Sequence, residues 1–429
     1  MFQSNIFIIV IVIVIIFIVI CVAIYIKNYK VNPDSVIKLL NDIDIRVIDV
    51  NNANELKTKR DWDIVVNDPT YFNDITSKGT IGVGESYMDG KWDCDAIDIL
   101  FDKILFNKLE QKIQFENIAD KIKIVTSYLF NQQMKEDPYK VEKVHYDIGN
   151  NIYINMLGNT MAYSCGYWTS PTSPTSPITH EAKSLDEAQN NKFDLICKKL
   201  QLQRNDHVLD IGSGFGGLAK YMVDNYGCKV TGINISKEQL KYSRELCAQY
   251  IKNGQIKFID CDYRATPLIW PDNEKYDKIV SVGFCEHVGT NNYKVFCQKA
   301  YDCLKDGGLF LLHTIGGNVS VTSSDPWMDK YIFPNGILPS VSQLSSAAEN
   351  LFVIEDWHNF GPYYDKTLMA WHKNYENAIK SGKIKNDNRF YRMWRYYLLV
   401  CAGCFRSRSI QLWQIVMSKE NKNLYKCVR

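Results

Sequence analysis

His207-Val208-Leu209-Asp210-Ile211-Gly212-Ser213-Gly214-Phe215-Gly216-Gly217 is a short apolar run followed by four glycines within six residues. The apolar part is too short for a helix and reads as a buried strand, and the glycines turn the chain. The next stretch, GLAKYMVDNY (217–226), has helical spacing and stops at Gly227, a helix terminator. The alternation continues outward. CKVTGINIS (228–236) reads as a second strand and KEQLKYSRELCAQYIKNG (237–254) as a helix ended by Asn253-Gly254. IKFIDCDYR (256–264) and YDKIVSVGFCEHVG (276–289) supply a third and a fourth strand. NYKVFCQKAYDCLKDGG (292–308) is a helix, and LFLLHTIG (309–316) a fifth strand. Strands alternating with helices predict a doubly wound α/β fold, a parallel sheet covered on both faces. IQLWQIVMS (410–418) predicts a late antiparallel strand at or near the sheet edge.

The glycine loop is the first chemical signal. Gly212 and Gly214 let the backbone approach a ligand closely, and the following helix N-terminus offers amides to polar groups. Two features turn the loop away from a dinucleotide. Asp210, just before it, suits a ligand with ammonium or hydroxyl groups better than a pyrophosphate, and Asn234 stands where an acidic residue would read a ribose. S-adenosylmethionine (SAM) matches this pattern best.

Ile6 to Ile26 is the other strong signal, 21 residues without a charge. About 20 such residues span a hydrocarbon core of roughly 30 Å. A cleaved signal peptide needs a basic start and a shorter apolar stretch. Met1–Asn5 carries no Lys or Arg, whereas Lys27 and Lys30 follow the run. This predicts a single-pass transmembrane helix, with everything after it in the cytosol. The stretch AIDILFDKILFNKLEQKIQFENIADKI (96–122) reads as helix, with Ile97, Leu100, Phe101, Ile104 and Leu105 at helical spacing. Residues 169–177, TSPTSPTSP, are an extended surface insertion, because repeated proline forbids helix and central strand.

The 429 residues suit about two to three domains. The expected division is an anchor over 1–30, a small, mainly helical, lipid-interacting domain over 31–140 and a catalytic domain over 141–429. Charged residues make up 23% and the apolar set 46%, which excludes disorder and coiled coil for the whole chain. Fifty basic and 48 acidic side chains leave a net charge of +2, so no global field favours nucleic acid. Thirteen cysteines without framework spacing read as free thiols in a cytosolic domain. Cys401 and Cys404 form a single C-x-x-C, which lacks the second pair of a zinc site, so no metal is expected.

A series of motifs in order completes the reading: HYDIGN (145–150), YSCGYW (163–168), LDIGSGFGGLA (209–219), EHVG (286–289), LLHTIG (311–316), KYIFPNG (330–336), EDWHNFG (355–361), YDKTLMAW (364–371), CAGCFR (401–406) and IQLWQ (410–414). On these the chain resembles the cyclopropane-fatty-acyl-phospholipid synthase family, SAM-dependent methyltransferases that add a methylene bridge across an acyl double bond. The resemblance covers about two-thirds of the chain, and the apolar N-terminus and the TSP repeat depart from it. It implies a phospholipid substrate, a homodimer and a Rossmann-like methyltransferase fold.

The chemistry the resemblance implies makes clear demands. An alkene is a poor nucleophile, so the methyl donor must be held in line with it. A carbocation then forms on the acyl chain, which calls for a dry slot lined with π faces. A base must remove a proton so that the ring can close. The resemblance assigns that base to a bicarbonate ion held by Cys165, Glu286, His313 with the Ile315 backbone, and Tyr364. Cys401 matches the family's active-site thiol, in a shaping role. For SAM, the expected residues are Tyr163 and Ser164 at the methionine end, Asp210, Gly212 and Gly214 at the loop, Asn234 and Gln239 at the ribose, and Asp262 with Tyr263 and Arg264 at the adenine.

Overall fold

The computed structural model describes residues 33–109, 150–171, 179–265 and 275–429. The expected membrane span at 6–26, residues 172–177 of the repeat and the 140/141 domain boundary lie outside them. No helix among the described residues is long and apolar enough to cross a membrane.

A seven-stranded sheet forms the centre. Its strands are β4 (His207–Ile211), β5 (Lys229–Asn234), β6 (Ile256–Asp260), β7 (Tyr276–Val282), β8 (Leu304–Gly317), β9 (Val353–Asn359) and β10 (Ile410–Ser418), in the order β6-β5-β4-β7-β8-β10-β9. β6, β5, β4, β7 and β8 run parallel, and β10 is antiparallel to both of its neighbours. Residues Val208 to Ile211 of β4 are all buried, as expected of a central strand covered on both faces. The chain winds outward one way through β5 and β6 and returns through β7 and β8. The switch point between β4 and β7 is where such sheets bind ligands, beyond the carboxyl ends of the strands.

Local chemistry sets the element ends. Helix Gly217–Tyr226 stops at Gly227, whose φ of +67° suits a C-terminal glycine. Ser236 caps helix Lys237–Leu246 by accepting from the Gln239 amide. The single helix expected over 237–254 is two, broken at Cys247. The edge strand β9 went unread in the sequence because its residues, VIEDWHN, are half polar and mostly not buried.

Residues 33–109 hold helices Pro33–Asp42, Ala53–Leu56, Tyr71–Lys78, Thr80–Met88 and Ile97–Phe106. They also hold a small sheet, β1 (Val47–Asp49), β2 (Ile64–Val66) and β3 (Trp92–Asp93), which periodicity did not reveal. This region shares one core with the rest: Ile45, Trp92, Ile97 and Leu100 cluster with Trp371, Trp394 and Tyr396. The seam is tight. A Cβ on Gly403, in helix Asn388–Arg406, would sit 2.6 Å from the Asp98 carbonyl oxygen. Arg406 ties the seam by pairing with Asp98 at 2.7 Å and Asp365 at 2.9 Å.

Candidate functional site

The carboxyl end of β4 delivers Asp210 and the glycine loop into a cavity of about 1180 Å³. Gly212 has φ +83°, and a Cβ there would lie 2.8 Å from the Phe284 ring. Gly214, at φ +54°, faces open space with nothing within 4 Å of a Cβ. Between them the Ser213 hydroxyl is buried without a partner. An open glycine beside an orphaned hydroxyl is what a ligand-binding loop requires. From β5, Asn234 Nδ2 donates to Gln239 Oε1 at 2.9 Å, so the two residues expected at a ribose stand together. After β6, Asp262 holds Arg264 through the Arg264 amide at 2.8 Å and its Nε at 2.9 Å. Tyr163 Oη meets Tyr397 Oη at 2.8 Å, and Ser164 Oγ accepts from Lys192 Nζ at 2.8 Å. All ten residues expected to hold SAM line this one cavity, and the donor set fits that ligand.

Four side chains were expected around the base, with Cys401 shaping the wall beside them. Glu286 is the middle residue of a short turn, Cys285–His287, after β7 and lines the cavity. Its Oε1 accepts the Ile315 backbone N–H of β8 at 2.7 Å, while Oε2 is buried without a partner. Burial pushes the Glu286 carboxyl up to about 7, against the lowering pull of that backbone hydrogen bond. Tyr364, near the start of helix Pro362–Lys380, also lines the cavity and stacks on Phe405 at 4.5 Å. Burial raises its phenol well above the ordinary value. Cys401 lines the cavity with its thiol likewise held protonated by burial.

Two expected residues lie behind the cavity wall instead of on it. Cys165 is fully buried, its Sγ 3.2 Å from the Gly166 carbonyl and 3.8 Å from Thr367 Oγ1. His313, on β8 opposite Gln414 of β10, receives the Gln414 Nε2–H on Nδ1 at 3.3 Å. That bond leaves the ring proton on Nε2, which is buried without a partner. Burial and then the charges of Lys192 and Lys199 hold the ring neutral. Glu286 thus presents an orphaned acceptor on the cavity wall, whereas the orphaned Nε2 of His313 lies behind that wall.

The cavity's other arm is apolar. Phe101, Leu105 and Phe106 from helix Ile97–Phe106 face Tyr396, Tyr397, Val400 and Phe405 from helix Asn388–Arg406. This arm forms where helix Ile97–Phe106 of the N-terminal region packs against helix Asn388–Arg406. Phe106 and Val319 at its rim are 73% and 71% exposed.

Sequence reading missed three residues that organise this site. Thr367 Oγ1 accepts the Gly166 N–H and the Trp168 Nε1–H, each at 3.0 Å, and donates to the Tyr363 carbonyl. Tyr397 partners Tyr163. Lys192 reaches the cavity from helix Leu185–Lys199. Only Lys192 left a trace, because Leu185, Lys192 and Lys199 are seven apart and share the buried face of that helix.

The family model described as mycolic acid cyclopropane synthetase matches residues 133–415. The cyclopropane-fatty-acyl-phospholipid synthase of Escherichia coli strain K12 is 44% identical over 361 residues, which cover 84% of this chain and 89% of that one. Among solved structures, the cyclopropane synthase MmaA2 from Mycobacterium tuberculosis aligns with a TM-score of 0.58 at 25% identity, covering 66% of this chain and 98% of that one. Mycolic acid cyclopropane synthase CmaA1, complexed with SAH and CTAB, aligns with a TM-score of 0.54 at 28% identity over 64% of this chain and 95% of that one. The α/β sheet and its glycine loop are those of a SAM-dependent methyltransferase, and the chain belongs to the mycolic acid cyclopropane synthetase family.

Proposed function

We propose that the chain is a cyclopropane-fatty-acyl-phospholipid synthase, transferring a methylene from SAM to the cis double bond of an unsaturated acyl chain in a phospholipid, with bicarbonate as proton acceptor. The observation that carries this reading is one cavity that joins a glycine-lined polar end to an aromatic, apolar arm, with the Glu286 carboxyl on its wall. When bound, SAM supplies an electrophilic methyl group, and bicarbonate supplies a base.

The chain's own residues do the rest. The loop from Asp210 to Gly214 and the Asn234–Gln239 pair fix the donor's position, which removes the entropy cost of the encounter. The aromatic rings of Tyr364, Tyr397 and Phe405 line the cavity and keep water away from the developing positive charge. Glu286, with its carboxyl near 7, holds or releases a proton at neutral pH and so tolerates an anion beside it. Tyr364 offers its hydroxyl from the cavity wall, and His313 and Cys165 back the cradle from behind it. Cys401 shapes the wall, since a thiol kept protonated by burial is a poor nucleophile.

Residues 1–30 are assigned as a single-pass anchor that leaves the catalytic domain in the cytosol, residues 31–140 as a lipid-gripping domain, and the functional unit as a homodimer. The test of the activity is direct: purified protein, SAM labelled in its methyl group, bicarbonate and vesicles of cis-unsaturated phospholipid, read by mass spectrometry. The expected product gains one CH2 and loses its alkene. Label without loss of unsaturation would mark a methylene-forming relative, and no labelled lipid would end the proposal.

A further inference from the structure

Among the described residues, four cationic side chains line the cavity: Lys108, Lys192, Arg264 and Arg408. Lys108 and Arg408 are exposed, and Arg264 is committed to Asp262. Lys192 alone among them is buried, only 1% exposed, and its Nζ donates to Ser164 Oγ at 2.8 Å. An ammonium group in such a place is costly unless it faces an anion. Because it has donors only, the Ser164 oxygen must accept from it, which leaves the Ser164 hydroxyl proton to point at another acceptor. Asp210 lines the same cavity, close enough for its charge to act on Lys192. Two donors and one carboxylate in one wall complement a group that carries both charges, as a free α-amino acid does.

We propose that Lys192 and Ser164 clamp the α-carboxylate of the amino-acid end of bound SAM, opposite Asp210, which takes the α-ammonium. The proposal rests on reading the cavity as the SAM site, and it adds the residue that recognises the acid. Burial disfavours the charged forms of both Lys192 and Asp210, so a zwitterion restores to each the partner that water would have given.

The experiment is calorimetric titration of the full-length protein with SAM and with decarboxylated SAM, which keeps the sulfonium, ammonium and adenosine groups. Wild-type protein should prefer SAM by about tenfold or more, the scale of a charge-assisted hydrogen bond in a buried site. Lys192→Met should lose that preference by weakening SAM alone, and Lys192→Arg should retain it. Equal weakening of both ligands would reveal a merely structural lysine and overturn the clamp. If Lys192→Met fails to fold, the wild-type comparison decides, since an absence of preference for SAM sinks the proposal unaided. Wild-type protein that binds neither ligand would instead overturn the reading of the cavity.

Discussion

The Ile315 backbone N–H donates to one Glu286 oxygen at 2.7 Å, and the other oxygen of that carboxyl is buried with no partner. The first contact fixes the side chain between β7 and β8, and the second leaves an acceptor waiting. Glu286→Gln preserves the shape and the Ile315 contact but cannot exchange a proton. The variant should bind SAM with unchanged affinity by calorimetry and lose turnover by at least about a hundredfold, the scale of general acid–base work. Lost SAM affinity would place Glu286 in donor binding instead.

The same carboxyl makes a prediction about stability. Burial holds it at about 7 against an ordinary 4.5, so the unfolded chain releases this proton first as pH rises. The folded state is therefore penalised progressively between about pH 4.5 and 7, and the penalty is constant above that. Glutamine has no such penalty. Urea unfolding should show Glu286→Gln gaining on wild type across this window, by at most about 3 kcal/mol. A gain that grows toward acid pH would contradict the assignment.

Thr367 is the joint between helix Pro362–Lys380 and the YSCGYW segment. Thr367→Val keeps the volume and strands two donors, the buried Gly166 N–H and the half-buried Trp168 indole N–H. The expected loss is about 2–4 kcal/mol in denaturant unfolding, with Thr367→Ser close to wild type. Because Cys165 and Ser164 lie on that segment, SAM affinity should fall alongside stability.

Gly212 and Gly214 predict opposite phenotypes despite similar backbone angles. Alanine at 212 drives its methyl into the Phe284 ring, so the loop must shift and folding suffers. Alanine at 214 meets no protein atom within 4 Å and adds only the left-handed backbone cost of about 1–2 kcal/mol. Its methyl projects into the cavity. Gly214→Ala should therefore stay folded by circular dichroism and lose SAM binding by calorimetry.

What could be read without coordinates was local. The β4 strand, the glycines and the stop at Gly227 announce themselves within twenty residues, because backbone geometry there depends on neighbours in sequence. Asn234 and Gln239 are five apart across a strand–helix turn and were equally legible. The unread features join distant segments. Tyr163 meets Tyr397 across 234 positions and Trp168 meets Thr367 across 199, and nothing periodic links such partners. His313 shows the limit within a motif: LLHTIG marks the residue, but its tautomer is set by Gln414, a hundred and one positions on. The sheet β1-β2-β3 escaped because strands of two or three residues carry no alternation to detect.

Removing residues 1–30 separates tethering from catalysis. The first described helix begins at Pro33, and Leu40 and Ile45 are already buried in the core that contains Trp92 and Trp394. A chain starting at 31 therefore keeps every described contact and should unfold at the same denaturant midpoint as the full protein. The apolar arm and the SAM residues belong to what remains, so the shortened protein should still modify phospholipid in added vesicles. Membrane attachment should change instead: in a flotation gradient the full chain should rise with the vesicles through high salt, because an apolar span is indifferent to ionic strength. The shortened chain should stay at the bottom. Flotation of both proteins would move membrane attachment away from Ile6–Ile26, and loss of activity with an unchanged unfolding midpoint would give the span a part in substrate delivery.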